Sequence, residues 1–222
     1  MNGRYGAVRA VDFGTLMARS FENLRLIWRQ IAAYLAILVA AAFLLPLFGQ
    51  NLGGGAGLIA YLVGQYWLFQ EFMKARGMLE TQRNHFLAFI GLAVVLIFPI
   101  IFGLGLFILP GLFLVARWIA SPAFVVARGE GVFASATSSW NAVRGSTLKV
   151  AGAVTVFFVL VSLFGVAASF IDGILSAVAA FGTAKPANVI QVNLLPLLLL
   201  GLSTATYELL GPEDTSIEEV FG

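Results

Sequence analysis

Between residues 86 and 127 the chain runs for 42 residues with a single charged side chain, Arg117. A helix needs about 20 apolar residues to cross the ~30 Å hydrocarbon core of a bilayer, so this run is about twice the length of one crossing. It must fold back on itself. Gly103-Leu104-Gly105 and Pro110-Gly111 both offer a turn, and the first is preferred because it leaves two spans of similar length, 86–102 and 106–127. The excess of apolar residues is not local. The chain is 60% hydrophobic and 11% charged, against about 45–50% and 25% in soluble domains. A chain of 222 residues cannot hide that surplus inside a globule, so lipid must cover much of it. The expected fold class is all-α: a polytopic integral membrane protein with about six transmembrane helices and amphipathic interfacial helices.

The other spans read as 31–48, 56–73, 150–171 and 189–207, which makes a six-span membrane domain over 31–210. GQNLGGG joins the first two as an uncharged outer loop, with Gly53-Gly54-Gly55 as a flexible turn. The semi-polar stretch 172–187 is expected to rest GILSAVAAFG on the outer interface. The N-terminal region 1–30 holds an amphipathic helix over 11–29. Its apolar residues recur at three- and four-residue steps, and its charges lie largely opposite. Such a helix lies in the headgroup layer or packs on the protein's own surface. A second amphipathic segment covers 132–147. The tail 211–222 is acidic, and Thr215 and Ser216 stand at capping-box spacing before Glu218 and Glu219.

Basic residues set the orientation. With six spans and the N-terminus inside, Arg4, Arg9, Arg19, Arg25, Arg29, Lys74, Arg76, Arg83, Arg128, Arg144 and Lys149 all fall on the inner side, and Lys185 alone falls outside. Under the positive-inside rule both termini are cytoplasmic, in the bacterial inner membrane. The first apolar run begins at Ile31 behind five arginines and lacks a small-x-small cleavage site, so it reads as a span rather than a leader.

The sequence holds no cysteine, which excludes thiolate metal sites and disulfides. The lone His85 reads as a solvated loop residue, and no metal site or cofactor is expected. A net charge of +2 points to no nucleic acid. Neither HExxH, GxSxG, a phosphate loop nor paired carboxylates within a span is present, so no enzymatic activity is expected.

Arg117 is the residue most out of place. In a span over 106–127 it sits about 15 Å from either end, where an arginine costs about 2.5–3.5 kcal/mol on insertion scales. It should be paired with an acid or with carbonyls freed by proline. Glu71 and then Glu208 are the acids in reach, and Gln65 joins them in a candidate ligand-binding set. Pro110-Gly111 and Ser121-Pro122 bracket Arg117 as helix breaks, whereas Pro46, Pro99 and Pro196 read as kinks. Membrane-surface contacts are assigned to Arg19, Arg25, Trp28, Arg29, Trp140 and Arg144. Small residues recur every fourth position at Ala32, Ala36 and Ala40 and at Gly165, Ser169 and Gly173. This is a packing stripe that serves one chain or a homo-oligomer equally. Finally, Ser20 to Arg25 and Ser139 to Arg144 share the form Ser-aromatic-x-x-aliphatic-Arg ahead of a span, as a parallel duplication would.

The stretch LPGLFLVARWIASPAFVVARGEG followed by SSWNAVRGSTLK resembles the six-span membrane domain found with bacterial glycerophosphoryl diester phosphodiesterases and its stand-alone inner-membrane relatives. The likeness rests on Pro110-Gly111 ahead of Arg117, the Gly129-Glu130-Gly131 break, and Ser139 to Gly145. It implies an inner-membrane location and a role near lipid or envelope metabolism, without enzymatic activity. The functional expectation is a non-enzymatic module that binds lipid, anionic phospholipid included, or a membrane-protein partner. Its rival is a small transporter or channel for an anionic or lipid substrate that meets Arg117.

Overall fold

A computed structural model describes residues 11–44, 50–81, 83–178 and 186–211, and the regular structure in them is helical throughout. In chain order the helices are α1 (Phe13–Leu26), α2 (Trp28–Leu44), α3 (Gln50–Ala75), α4 (Phe86–Leu106), α5 (Ile108–Trp118), α6 (Ser121–Arg128) and α7 (Val132–Ala142). A short 3₁₀ turn (Val143–Gly145) follows, then α8 (Thr147–Val178) and α9 (Pro186–Leu210).

Local sequence chemistry explains most of the boundaries. Asp12 caps α1 by accepting the amides of Gly14 and Thr15 at 2.9 and 3.3 Å. Gly77 and Gly129, at φ 67° and 68°, sit just past α3 and α6 in the left-handed conformation that glycine adopts without a Cβ clash. Pro122 stands in the first turn of α6, where its missing amide is harmless. α1 and α2 meet at Ile27 with a 69° bend, so the amphipathic helix lies across the start of the span.

Two regions differ in what they bury. At one end α1, α6, α7, the end of α3 and the second half of α9 form a packed cap. Its centre is the run Leu200 to Tyr207 of α9, whose residues are all buried. Gly201 permits this, because a Cβ there would lie 2.7 Å from Leu24 Cγ and 2.8 Å from the Ser20 carbonyl. Away from the cap the pattern inverts, and large apolar side chains such as Ile59, Phe98, Phe107, Leu163 and Phe170 are exposed. Only a hydrocarbon solvent makes such a surface favourable. The chain is an all-α, multi-pass membrane protein. Phe86–Leu106, Ile108–Arg128, Thr147–Phe170 and Ile190–Leu210 are each long and apolar enough to cross a bilayer, and the bent α1–α2 pair makes a fifth candidate.

Several sequence expectations change. The fold-back within 86–127 occurs at Phe107, with extended φ −155° and ψ 141°, between the two candidate turns. The preferred glycines stay helical, and Gly103 serves the hairpin instead, since a Cβ there would lie 3.0 Å from Gly111 Cα. GQNLGGG is no loop from Gln50 onward, because α3 runs through all three glycines. Away from water nothing competes for backbone hydrogen bonds, so glycine is tolerated in a helix. α8 likewise continues through the segment expected on the interface, as far as Val178. His85 is half-buried and packs over Gly129 rather than standing in solvent. The stripe Ala32, Ala36 and Ala40 faces outward, unused within the chain, while Gly165 packs against Gln191. Pro46, Lys185, the first ten residues and the acidic tail beyond Gly211 lie outside the described residues.

Candidate functional site

Arg117 occupies the last turn of α5, one residue before the break that separates α5 from α6. Pro122 lacks the amide that would reach the Trp118 carbonyl, and at the same break the Arg117 carbonyl and the Ala120 amide turn to a side chain. Ser139 of α7 closes them. Its hydroxyl donates to the Arg117 carbonyl at 2.8 Å and accepts from the Ala120 amide at 3.2 Å. One buried serine thus splices two helices and fixes α7 alongside them.

This placement brings the Trp140 carbonyl, in the last turn of α7, to 2.9 Å from Arg117 Nη1. The carbonyl belongs to the negative end of the α7 dipole, which favours a cation. Below the guanidinium lie two rings: the centroid of Trp140 is 4.8 Å from Arg117 Cζ and that of Phe113 is 5.2 Å away. The rings meet each other edge to face at 5.8 Å, and Trp118 leans on Trp140 at 5.9 Å. Cation–π contact and a helix-end carbonyl stand where sequence reasoning looked for an acid or for carbonyls freed by proline. Arg117 Nε is buried without a hydrogen-bond partner. The exposed Arg144 lies on the turn after α7, which packs against α5. Among the described residues, no carboxylate forms an ion pair with either arginine. The result is a doubly basic, aromatic-walled corner.

The other residues assigned to Arg117 lie elsewhere. Glu71 pairs with Lys74 at 3.0 Å on its own helix. Glu208 meets Arg19 at 3.6 Å and Arg76 at 4.0 Å, and it accepts from Asn23 at 3.4 Å. Arg76 also reaches Glu22 at 3.0 Å and Asn23 at 2.9 Å, so this network ties α1 to α3 and α9 within the cap. The hydrogen bond from Arg76 holds the Glu22 carboxyl below its usual range, with the charges of Arg19 and Arg76 acting the same way. Gln65 donates to the Tyr34 hydroxyl at 3.2 Å, and Tyr34 donates to Asn193 Oδ1 at 3.0 Å. That buried chain links α3, α2 and α9.

The proposed helix breaks act as helix starts: Pro110 and Gly111 fall in the first turn of α5, and Ser121 and Pro122 open α6. Of the surface residues, Arg25, Trp28, Arg29 and Arg144 are exposed, and Arg29 lies over the Trp28 ring at 5.6 Å. Arg19 is half-buried in the ion network. The two echo segments share a setting, since Ser20 and Ser139 are completely buried on short helices that lead into α2 and α8. Their bonding differs, because Ser20 Oγ donates to Leu16 O of its own helix at 2.7 Å.

Sequence reasoning missed Ser139 and Phe113 as members of this corner. One signal was present: Pro122 inside an apolar run must leave backbone groups open, and beyond the adjacent Ser121 the serines of 135–139 are the next hydroxyls along the chain.

By fold and site this is a multi-pass helical membrane protein with a basic aromatic corner between its packed cap and its lipid-facing shell. No family model, curated protein or solved structure matches the chain.

Proposed function

We propose that this is a non-enzymatic protein of the bacterial inner membrane, cap and termini on the cytoplasmic side, that binds the phosphate of an anionic phospholipid at the Arg117–Arg144 corner. One observation carries the reading. Arg117 stands over Phe113 and Trp140, Arg144 lies on the turn that packs against its helix, and no carboxylate is paired to either among the described residues, where exposed apolar surface begins. Tryptophan and arginine at that boundary are the residues that hold headgroup level. The one-sided distribution of basic residues supports the cytoplasmic placement of the cap, and the resemblance to phosphodiesterase-associated membrane domains supports a role in envelope homeostasis. A helix-end carbonyl and two rings are the contacts of an interfacial anchor, which favours this reading over a permeation path.

Native mass spectrometry of the purified protein with phosphatidylglycerol or cardiolipin tests it, with phosphatidylcholine as the neutral control. Each basic residue near an anionic surface contributes about 1 kcal/mol, so Arg117→Gln and Arg144→Gln should each weaken anionic binding about fivefold and leave neutral lipid unchanged. Undiminished binding in the double variant would sink the proposal.

A further inference from the structure

α1 lies across three long helices. It starts on α8, where Val11 N donates to Ser146 Oγ at 3.2 Å and the Phe13 ring lies over Gly152. It crosses α9 with Ser20 and Leu24 over Gly201, and it passes into α2 through Ile27. α9 in turn packs against both α8 and α2. The arrangement is a groove with α9 as its floor, α8 and α2 as its sides, and α1 closing it at the cap end.

The cover that α1 gives stops abruptly. Phe21 meets Phe157 of α8 edge to face at 5.7 Å, and Phe157 is completely buried. Leu160 and Phe164 follow at three and seven residues, on the same stripe of α8, and are 47% and 43% exposed. On α9 the stripe that starts beneath α1 at Gly201 opens in the same direction: Leu198 and Leu194 are half-buried and Ile190 is exposed. Phe21 itself is 48% exposed, so its free edge overhangs the point where the groove opens.

Charge divides at the same place. Away from the cap no charged side chain occurs in residues 30–44 of α2, 150–171 of α8 or 186–207 of α9. α1 is the charged element that borders all three. Its Arg25 stands one turn beyond Phe21 on the neighbouring surface, is exposed, and forms no ion pair among the described residues. Beyond Phe157 the exposed apolar surface of α8 continues from Phe158 to Phe170, a rise of about 20 Å, which exceeds the ~15 Å depth of one leaflet's chains. The groove is therefore continuous with the surface that faces hydrocarbon, and it carries a cation at its closed end.

We propose that this groove seats an anionic phospholipid of the cap-side leaflet, with an acyl chain on the Leu160–Phe164 stripe beneath Phe21 and its phosphate on Arg25. The apolar length fits a chain, and the unpaired guanidinium at its cap end fits the phosphate. The seat is separate from the Arg117 corner, which belongs to α5 and α7, and does not depend on whether a phosphate binds there.

Phosphatidylglycerol with a diazirine in one acyl chain, doped into phosphatidylcholine vesicles that hold the purified protein, tests the proposal. After irradiation, peptide mapping should place crosslinks on Phe21, Leu160 and Phe164. Arg25→Gln, an exposed change that spares the packing, should lower their yield about fivefold, the equivalent of about 1 kcal/mol for one basic residue at an anionic surface. The same change should leave crosslinks from diazirine-bearing phosphatidylcholine unaltered. Crosslinks spread evenly over Phe158, Leu163 and Phe170 overturn the proposal, as does a yield indifferent to Arg25→Gln. The chain has no cysteine, so Leu160→Cys introduces a single one. A disulfide joining two such chains in the vesicle would assign the groove to a second copy and overturn the lipid reading. Arg117→Gln should leave the groove crosslinks unchanged, and their loss in that variant but not in Arg25→Gln also overturns it.

Discussion

Removing the hydroxyl of Ser139 should cost far more than removing that of Ser20, although both serines are completely buried and hold the same place in the echoed motif. Ser139→Ala deletes two hydrogen bonds, to Arg117 O at 2.8 Å and from Ala120 N at 3.2 Å. Each bond contributes about 1 kcal/mol net, and buried backbone groups left open cost about 1–3 kcal/mol. The expected loss is about 2–3 kcal/mol. Ser20→Ala removes one bond, to an i−4 carbonyl within α1 that the helix ladder already employs. Such back-bonding contributes little, so about 0.5–1 kcal/mol is expected. For a chain of this length the difference appears as a fall of about 5–10 °C for Ser139→Ala and about 1–4 °C for Ser20→Ala. Thermal unfolding of the two variants in one detergent, followed by size-exclusion chromatography, measures both. Equal shifts, or a larger one for Ser20→Ala, would refute the claim that Ser139 splices α5 to α6.

Three further expectations follow from the packing. Because Arg76 holds the Glu22 carboxyl below its usual 4.5, that ion set stabilises the cap fully above the ordinary carboxylate range and loses its contribution as pH falls through the lowered value. Wild-type and Glu22→Gln protein should therefore differ in unfolding midpoint at neutral pH and converge only well below about pH 4. Gly111→Leu should destabilise by about 1–3 kcal/mol or more, since a Cβ already collides with Leu104. Gly105→Ala, with nothing within 4 Å of its new Cβ, should be neutral or stabilise by up to about 1 kcal/mol, and thermal aggregation midpoints separate the two. Tyr34→Phe severs the chain from Gln65 to Asn193 and should cost about 1–2 kcal/mol, read as increased protease sensitivity of the α2–α3 pair.

Residue order alone made much of the architecture legible. The 42-residue run 86–127 had to fold back, and it does; in α1, by contrast, the buried face is Leu16, Ser20 and Asn23, while Phe13 and Phe21 are exposed. Partners were less legible. Arg117 was matched to Glu71 because a buried cation calls for an anion, yet Glu71 is spent on Lys74, three residues away on the same helix. Gln65 lies six residues before Glu71, but its amide points to Tyr34, not to Arg117. Gly201, an unremarkable glycine by sequence, is where α1 approaches α9 closely enough to close the cap.

By itself the sequence determined the solvent and the helical class, because hydropathy and backbone satisfaction in lipid are summed along the chain and need no contacts. Tertiary structure alone decided that the odd arginine is held by a carbonyl and two rings, that α9 carries the buried centre of the cap, and that one serine joins three helices. Those outcomes depend on which helix faces meet and at what rotation. Rotations of that kind are set by side-chain packing between distant segments, about which a linear pattern of apolar and polar residues carries almost no information.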